Sequence, residues 1–237
     1  MTTSGIGNRE SGMAMAVLLR GTRFARLAIA MLLAVALAGC ASILGGSGNA
    51  ERTTIYSPDP RAALDPALPH VSWQLALGST SGPRTIDSYR IAVRPAPDEI
   101  QVYRGAGWAK TPSDMLQSTV LRALEDSGKI ASVARQGTGV AADYRLVIDL
   151  RRFEADYAGN AVPAATIEFN AKLIHTADQA IVASRTFLQA QPAAGTELPL
   201  VVDAFSHALE AVGGELAGWV LVSGDEHQRQ AHPGASR

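Results

Sequence analysis

Tyr144-Arg-Leu-Val-Ile-Asp-Leu150, followed by Ala165-Thr-Ile-Glu-Phe-Asn-Ala-Lys-Leu173, decides the fold. In the first stretch Tyr144, Leu146, Ile148 and Leu150 alternate with Arg145 and Asp149, and only Val147 breaks the polar set. In the second, Ala165, Ile167, Phe169, Ala171 and Leu173 alternate with Thr166, Glu168, Asn170 and Lys172. A period of two puts each set on its own face, so both stretches read as strands with one buried face. Ile181–Gln189 is a third, less regular segment, and turn residues at Ala158-Gly-Asn160 and Ala177-Asp-Gln179 separate the three. Short turns between half-buried strands predict an antiparallel meander.

Upstream, Val71, Trp73, Leu75 and Leu77 alternate with polar or small residues, as do Tyr89, Ile91 and Val93 up to Pro95. Ile100–Arg104 reads as a short strand broken by Gly105-Ala-Gly107, and Lys129–Arg135 as another. Between them Thr111-Pro-Ser-Asp114 carries a cap, a proline suited to the first helical position and an early acid. Leu116, Val120, Ala123 and Leu124 form that helix's apolar stripe, and Gly128 ends it. Downstream, Leu198, Val202, Phe205, Leu209, Val212, Leu216 and Trp219 recur at spacings of four and three, one docking face of a last helix. Gly213-Gly214 weakens its middle. The order strands, helix, strands, helix predicts an α+β domain: a mostly antiparallel sheet with two main helices packed on one face, over residues 71–222. Residues 223–237 read as a disordered tail. The absence of sustained strand–helix alternation counts against a Rossmann-type architecture.

The whole chain has 237 residues, 47% hydrophobic and 18% charged, enough for one ordinary domain with extensions. Its formal net charge is −1. Four arginines and one acid precede Cys40, so the remainder carries seventeen basic and twenty-one acidic groups. That balance lacks the positive field that a phosphate backbone requires, which argues against a nucleic-acid partner. A single cysteine excludes an intramolecular disulfide and any multi-cysteine metal site.

Catalytic motifs are scarce. Gly137-Thr-Gly139-Val-Ala-Ala142 loosely matches a dinucleotide fingerprint but lies between two predicted strands and opens no helix. No Gly-x-Ser-x-Gly elbow or Walker loop occurs. His70, His175, His207, His227 and His232 are scattered, the last two in the expected tail. Asp149 and Glu154 are separated by an odd gap, which places them on opposite strand faces, a poor acid–base pair. The expectation is a non-enzymatic protein with no cofactor, no metal and no catalytic residues.

Arg20, Arg23 and Arg26 precede the apolar run Leu27–Ala36, and Leu37-Ala-Gly-Cys40 follows. A basic region, a short apolar run and a small-residue cleavage site make a secretory leader, too short to span a bilayer. Leu-Ala-Gly-Cys resembles the lipobox of bacterial lipoproteins. That resemblance implies cleavage after residue 39 and a thioether-linked diacylglycerol on Cys40, with further acylation such as palmitate. Several acyl chains hold a protein stably on a membrane where one does not. Ala41 is not the aspartate that retains lipoproteins in the inner membrane, which implies an outer-membrane anchor facing the periplasm. Residues 40–70 combine Gly45-Gly-Ser-Gly-Asn49 with Pro58, Pro60, Pro66 and Pro69, and read as a flexible tether.

Tyr89-Arg-Ile-Ala-Val-Arg-Pro-Ala-Pro-Asp-Glu-Ile-Gln-Val-Tyr103, Gly107-Trp108-Ala109, Met115–Gly128, Asp143-Tyr144 and Asp149–Tyr157 together resemble the ABC-type transport auxiliary lipoproteins, the PqiC-like, MCE-associated family. The likeness runs from about Val71 to Phe187. Ile55-Tyr56 or Val71–Leu77 stands for that family's opening strand. The resemblance implies phospholipid or other lipid traffic between the two Gram-negative membranes, and a bearing on membrane integrity. It implies partnership with an MCE-domain protein and an ABC permease and ATPase, with no ATPase or hydrolase activity in the chain itself. Phospholipid and a second copy of the chain are further candidate partners. Trp108, between glycine and a capped helix, either plugs the core or presents an aromatic anchor to a partner. A different reading is a structural or assembly lipoprotein that assists an outer-membrane protein or envelope complex through the last helix or a strand edge. A third, a hydrolase, requires a cleft with clustered titratable groups.

Overall fold

The computed structural model describes residues 53–139 and 141–231; the leader, Cys40 and His232 lie outside them. Eight strands form one sheet: β1 (Thr54–Tyr56), β2 (Val71–Ser81), β3 (Arg90–Ala96), β4 (Glu99–Trp108), β5 (Ile130–Arg135), β6 (Tyr144–Asp156), β7 (Ala164–His175) and β8 (Ile181–Pro192). Helix α1 (Pro112–Ser127) follows β4, and helix α2 (Leu198–Ala231) closes the chain.

The expected meander is present: β6 pairs antiparallel with β7, and β7 with β8. The sheet as a whole is mixed, not mostly antiparallel. β2 runs parallel to both β5 and β6, β3 parallel to β6, and β1 parallel to β4. The physical reason lies in connection length. Short turns impose antiparallel neighbours, whereas α1 is a crossover that returns β5 beside β2 in the same direction. Alternation reports a buried face and carries no strand direction.

β6 is the strand the others share. β7 lies along it from Tyr144 to Asp156. Its other edge is divided: Tyr144–Asp149 takes β2, and Ala155–Asp156 takes β3. The sheet therefore forks there into one arm of β2 and β5 and another of β3, β4 and β1. β4 extends through Gly105-Ala-Gly107, which reads as a break, because Gly105 takes φ 63 inside a bulge and the strand bends instead of ending.

Both helices pack on one face and on each other. α1 has the expected ends. Thr111, extended at ψ 153, accepts from the Asp114 amide, Pro112 starts the first turn, and Gly128 closes the helix in the left-handed region. The core lies between this layer and the sheet. Phe153 stacks on Phe205 at 4.8 Å and Phe169 on Phe187 at 5.1 Å.

Two expected boundaries shift. Of the expected tether, residues 54–70 belong to the fold. β1 pairs with β4, and Ala62, Leu64 and Leu68 pack against the core. Lys129 Nζ donates to the Pro66 and Leu68 carbonyls at 2.8 and 2.7 Å. Proline denies this stretch ladder hydrogen bonds without preventing it from packing. At the other end residues 223–231 continue α2 instead of forming a disordered tail. Gly224 seats against Trp73, and the Tyr144 hydroxyl meets His227 Nδ1 at 2.8 Å. The polar composition covers the helix's outer faces while one seam stays docked. Trp219 lies half-buried at the margin, edge-on to Phe187, not deep in the core.

Candidate functional site

Trp108 ends β4 and is 2% exposed. Its ring stands edge-on to Phe153 and Phe205, with centroids 6.1 and 5.3 Å away. It plugs the core, which corrects its reading as a partner anchor: a side chain this deep presents nothing to a partner. Cys40, the expected lipidation site, lies outside the described residues.

A bulge in β6 overturns the reading of Asp149 and Glu154. Leu150 faces Phe169 while Arg152 faces Glu168, so Arg151 is an extra residue and the alternation inverts beyond it. Glu154 consequently shares Asp149's face, turned away from α2, since its neighbour Phe153 points at Phe205. Glu154 is fully buried there. Arg94 Nε and Nη2 donate to its two oxygens at 2.7 and 3.2 Å, and Arg152 Nε donates to one at 2.8 Å. Arg152 also pairs with Asp156. The bond to Glu154 raises Arg94's pKa. Two guanidiniums thus occupy both oxygens of this buried carboxylate in charge-assisted hydrogen bonds. The group locks β3 to β6 where their ladder is short.

A second cluster joins β6, β7 and α2. Tyr144 is fully buried, edge-on to Trp73 at 4.8 Å, and its hydroxyl contacts His227. His175 lies 5.0 Å from His227 between ring centroids, and its Nδ1 meets Asp178 Oδ1 at 3.0 Å. Desolvation pushes the Tyr144 pKa up to about 12, helped by the charges of Asp143 and Asp178. The Ala180 amide, then His175, holds Asp178 below its usual value. His227 is thus part of the packed seam and not of a solvated tail. Nothing in the spacing of Tyr144, His175 and His227 announces that seam; the topology creates it. Among the described residues no three His, Cys, Asp or Glu side chains group as metal ligands.

The sheet face turned away from the helices is open. Over β6–β8 it is mainly polar, carrying Asp149, Lys172 and Thr186 with Leu188 exposed among them. At the β1–β4–β3 corner it is apolar. Ile55, opposite Gly107, is 58% exposed, Tyr89 62%, and Ile100 and Val102 37% each. Tyr89, Ile100 and Val102 line a cleft of about 690 Å3 with Arg84 and Arg90 beside them. The apolar side chains come from two strands and a loop, so no local pattern reveals the patch. A further cleft of about 620 Å3 lies between α1 and the Pro-rich segment, lined by Arg61, Leu64, His70 and Arg122 among others.

With this architecture in view, the family model for the ABC-type transport auxiliary lipoprotein component matches residues 54–217, from β1 into α2. The chain belongs to that family. The family match begins at β1, inside the stretch whose composition reads as a tether. A Xanthomonas campestris protein of known crystal structure is 55% identical, covers 74% of this chain and 99% of its own, and superposes with a TM-score of 0.71. A second solved structure, of an uncharacterized protein, is 13% identical, covers 71% of this chain and 98% of its own, and has a TM-score of 0.56; it shows the fold alone. An uncharacterized protein of Bradyrhizobium diazoefficiens is 25% identical over 192 residues, 79% of this chain. This chain spans 50% of that relative's length. The family's description is that of an auxiliary lipoprotein of ABC-type transport, which points to the cell envelope.

Proposed function

We propose that the chain is a non-enzymatic accessory of an MCE-type ABC system that moves phospholipid between the inner and outer membranes. In this reading Cys40 carries the acyl anchor, in the outer membrane, and the domain faces the periplasm. The observation that carries it is the succession of two features. Leu37-Ala-Gly-Cys40 ends a basic, apolar leader, and the auxiliary-component domain begins fourteen positions later, at Thr54. The folded part needs no reaction of its own. Its buried carboxylate is saturated by arginines, and its role is to stand at the membrane and hold a partner.

Two measurements test this. Intact mass of the cell-derived protein is expected to show cleavage before Cys40 and acylation of its sulfur. Crosslinking in the envelope is expected to recover an MCE-domain protein and, through it, the permease. Acylation without any MCE or permease adduct overturns the transport role. A bare thiol or a retained leader overturns the anchor.

A further inference from the structure

The apolar corner of the open face has a place in the chain as well as a composition. The described fold starts at Thr53, immediately before β1, and β1 is the strand that carries Ile55. Thr53 stands thirteen positions after Cys40. Fully extended, that stretch reaches at most about 45 Å. An anchor on Cys40 therefore leashes this corner, before any other part of the sheet, to the bilayer surface.

Its chemistry suits that surface. Ile55, Tyr89, Ile100 and Val102 offer branched aliphatics and a phenol, the mixture that lies at the boundary between headgroups and acyl chains. Arg84 and Arg90 border the cleft, where guanidinium groups meet lipid phosphates. The acid in the cleft wall, Asp87, is turned inward, its Oδ1 accepting from the Ser113 amide at 2.9 Å. Past residue 39 the chain is net acidic, so anionic lipid repels most of its charge and favours the orientation that presents these arginines.

We propose that this corner is a membrane-contact face, docked on the surface of a phospholipid bilayer containing anionic lipid. The proposal rests on the reading that Cys40 is the anchor. It goes further by giving the domain a fixed orientation on the membrane, with the polar half of the open face left for the aqueous side.

Hydrogen–deuterium exchange of the full-length lipoprotein tests it, in detergent and after reconstitution into vesicles of phosphatidylethanolamine and phosphatidylglycerol at 3:1. Amides in the 82–89 loop and on β4 from 99 to 105 are expected to slow at least threefold on vesicles, while those of β7 and β8 do not change. Tyr89→Asp with Val102→Asp is expected to remove that slowing although the protein stays vesicle-bound. Leu188→Asp, at an equally exposed apolar site on β8, is the control and is expected to keep it. Unchanged corner exchange on vesicles overturns the proposal, as does equal loss in the Leu188 control. So does slowing that appears only when a protein partner is added, which makes the corner a protein interface. Mass analysis of the same preparation reports the acyl group. Its absence defeats the anchor reading separately, and the corner is then judged by the same exchange pattern with vesicles added at millimolar lipid.

Discussion

Replacing glycine by alanine at three positions of α2 makes one chemical change with opposite outcomes. In a helix interior alanine is better than glycine by about 1 kcal/mol. At Gly214 an added methyl meets the Ala63 carbonyl oxygen at 3.5 Å and Ala62 Cβ at 3.6 Å, ordinary contact distances. The propensity gain stands, and Gly214→Ala is expected to stabilise by up to about 1 kcal/mol, near 2–4 °C in Tm for a domain this size. At Gly213 the methyl falls 2.6 Å from Thr119 Cγ2. Thr119 is 4% exposed and its hydroxyl donates to the Met115 carbonyl, so it cannot turn aside without losing that bond. Overpacking costs about 1–3 kcal/mol, and the net is a loss of about 1. At Gly224 the methyl overlaps Trp73 Cζ2 and lies 2.9 Å from Cε2. A buried indole wedged against Tyr144 has nowhere to go, and the net loss is expected to be about 2 kcal/mol or more. Urea unfolding followed by circular dichroism measures all three, with unchanged m-values as the check on two-state behaviour. If Gly224→Ala stabilises as Gly214→Ala does, the register of α2 against β2 is wrong, and so is the account of why residues 223–231 stay helical.

Trp108→Ala is expected to cost about 3–5 kcal/mol in the same unfolding assay, as a core cavity does; a near-neutral result would return the residue to the surface. Glu154→Ala strands two partly buried guanidiniums and is expected to lose about 2–3 kcal/mol, whereas Asp149→Ala, on the same face but exposed, is expected to stay within about 0.5. Tyr144 titrates near 10 when unfolded and is pushed up to about 12 when folded. Its stabilising contribution is complete below pH 10 and is lost as pH rises from 10 to 12, an effect on the order of 2 kcal/mol. Tyr144→Phe is expected to flatten the stability profile in that window, and tyrosinate absorbance in the folded protein checks the value directly.

What the sequence makes legible follows from locality. The β6–β7–β8 meander shows because each strand alternates and each turn is short. α1 shows because Thr111, Pro112 and Gly128 mark its ends, and α2 because one stripe runs its length. The parallel pairings do not show, since β2 meets β5 and β6 across long stretches of chain that leave no local trace. The extra residue at Arg151 inverts a parity argument that assumes an unbroken strand, so parity alone puts Glu154 on the wrong face. The Pro-rich 57–70 stretch has the composition of a linker, yet its leucines and Lys129's two carbonyl bonds fasten it. Composition reports the lack of ladder hydrogen bonds, not the lack of contacts. Of the site, the motif at Cys40 is written in consecutive residues, whereas the corner of Ile55, Tyr89, Ile100 and Val102 exists only once β1, β4 and the loop before β3 converge.

The forked sheet also sets a timetable. Gln74 and Asp143, which bond across the β2–β6 junction, are 69 positions apart. If the chain crosses the inner membrane N-terminus first, as its leader implies, β2 reaches the periplasm before either of its neighbours. During that interval Trp73, Leu75 and Leu77 face water on a strand without partners, the condition in which edges find the wrong chain. β6, β7 and β8, by contrast, can zip as soon as they emerge. The emerging chain thus exposes β2 early and receives its organising strand late, and it is expected to depend on a periplasmic holding chaperone until Asp156 has crossed.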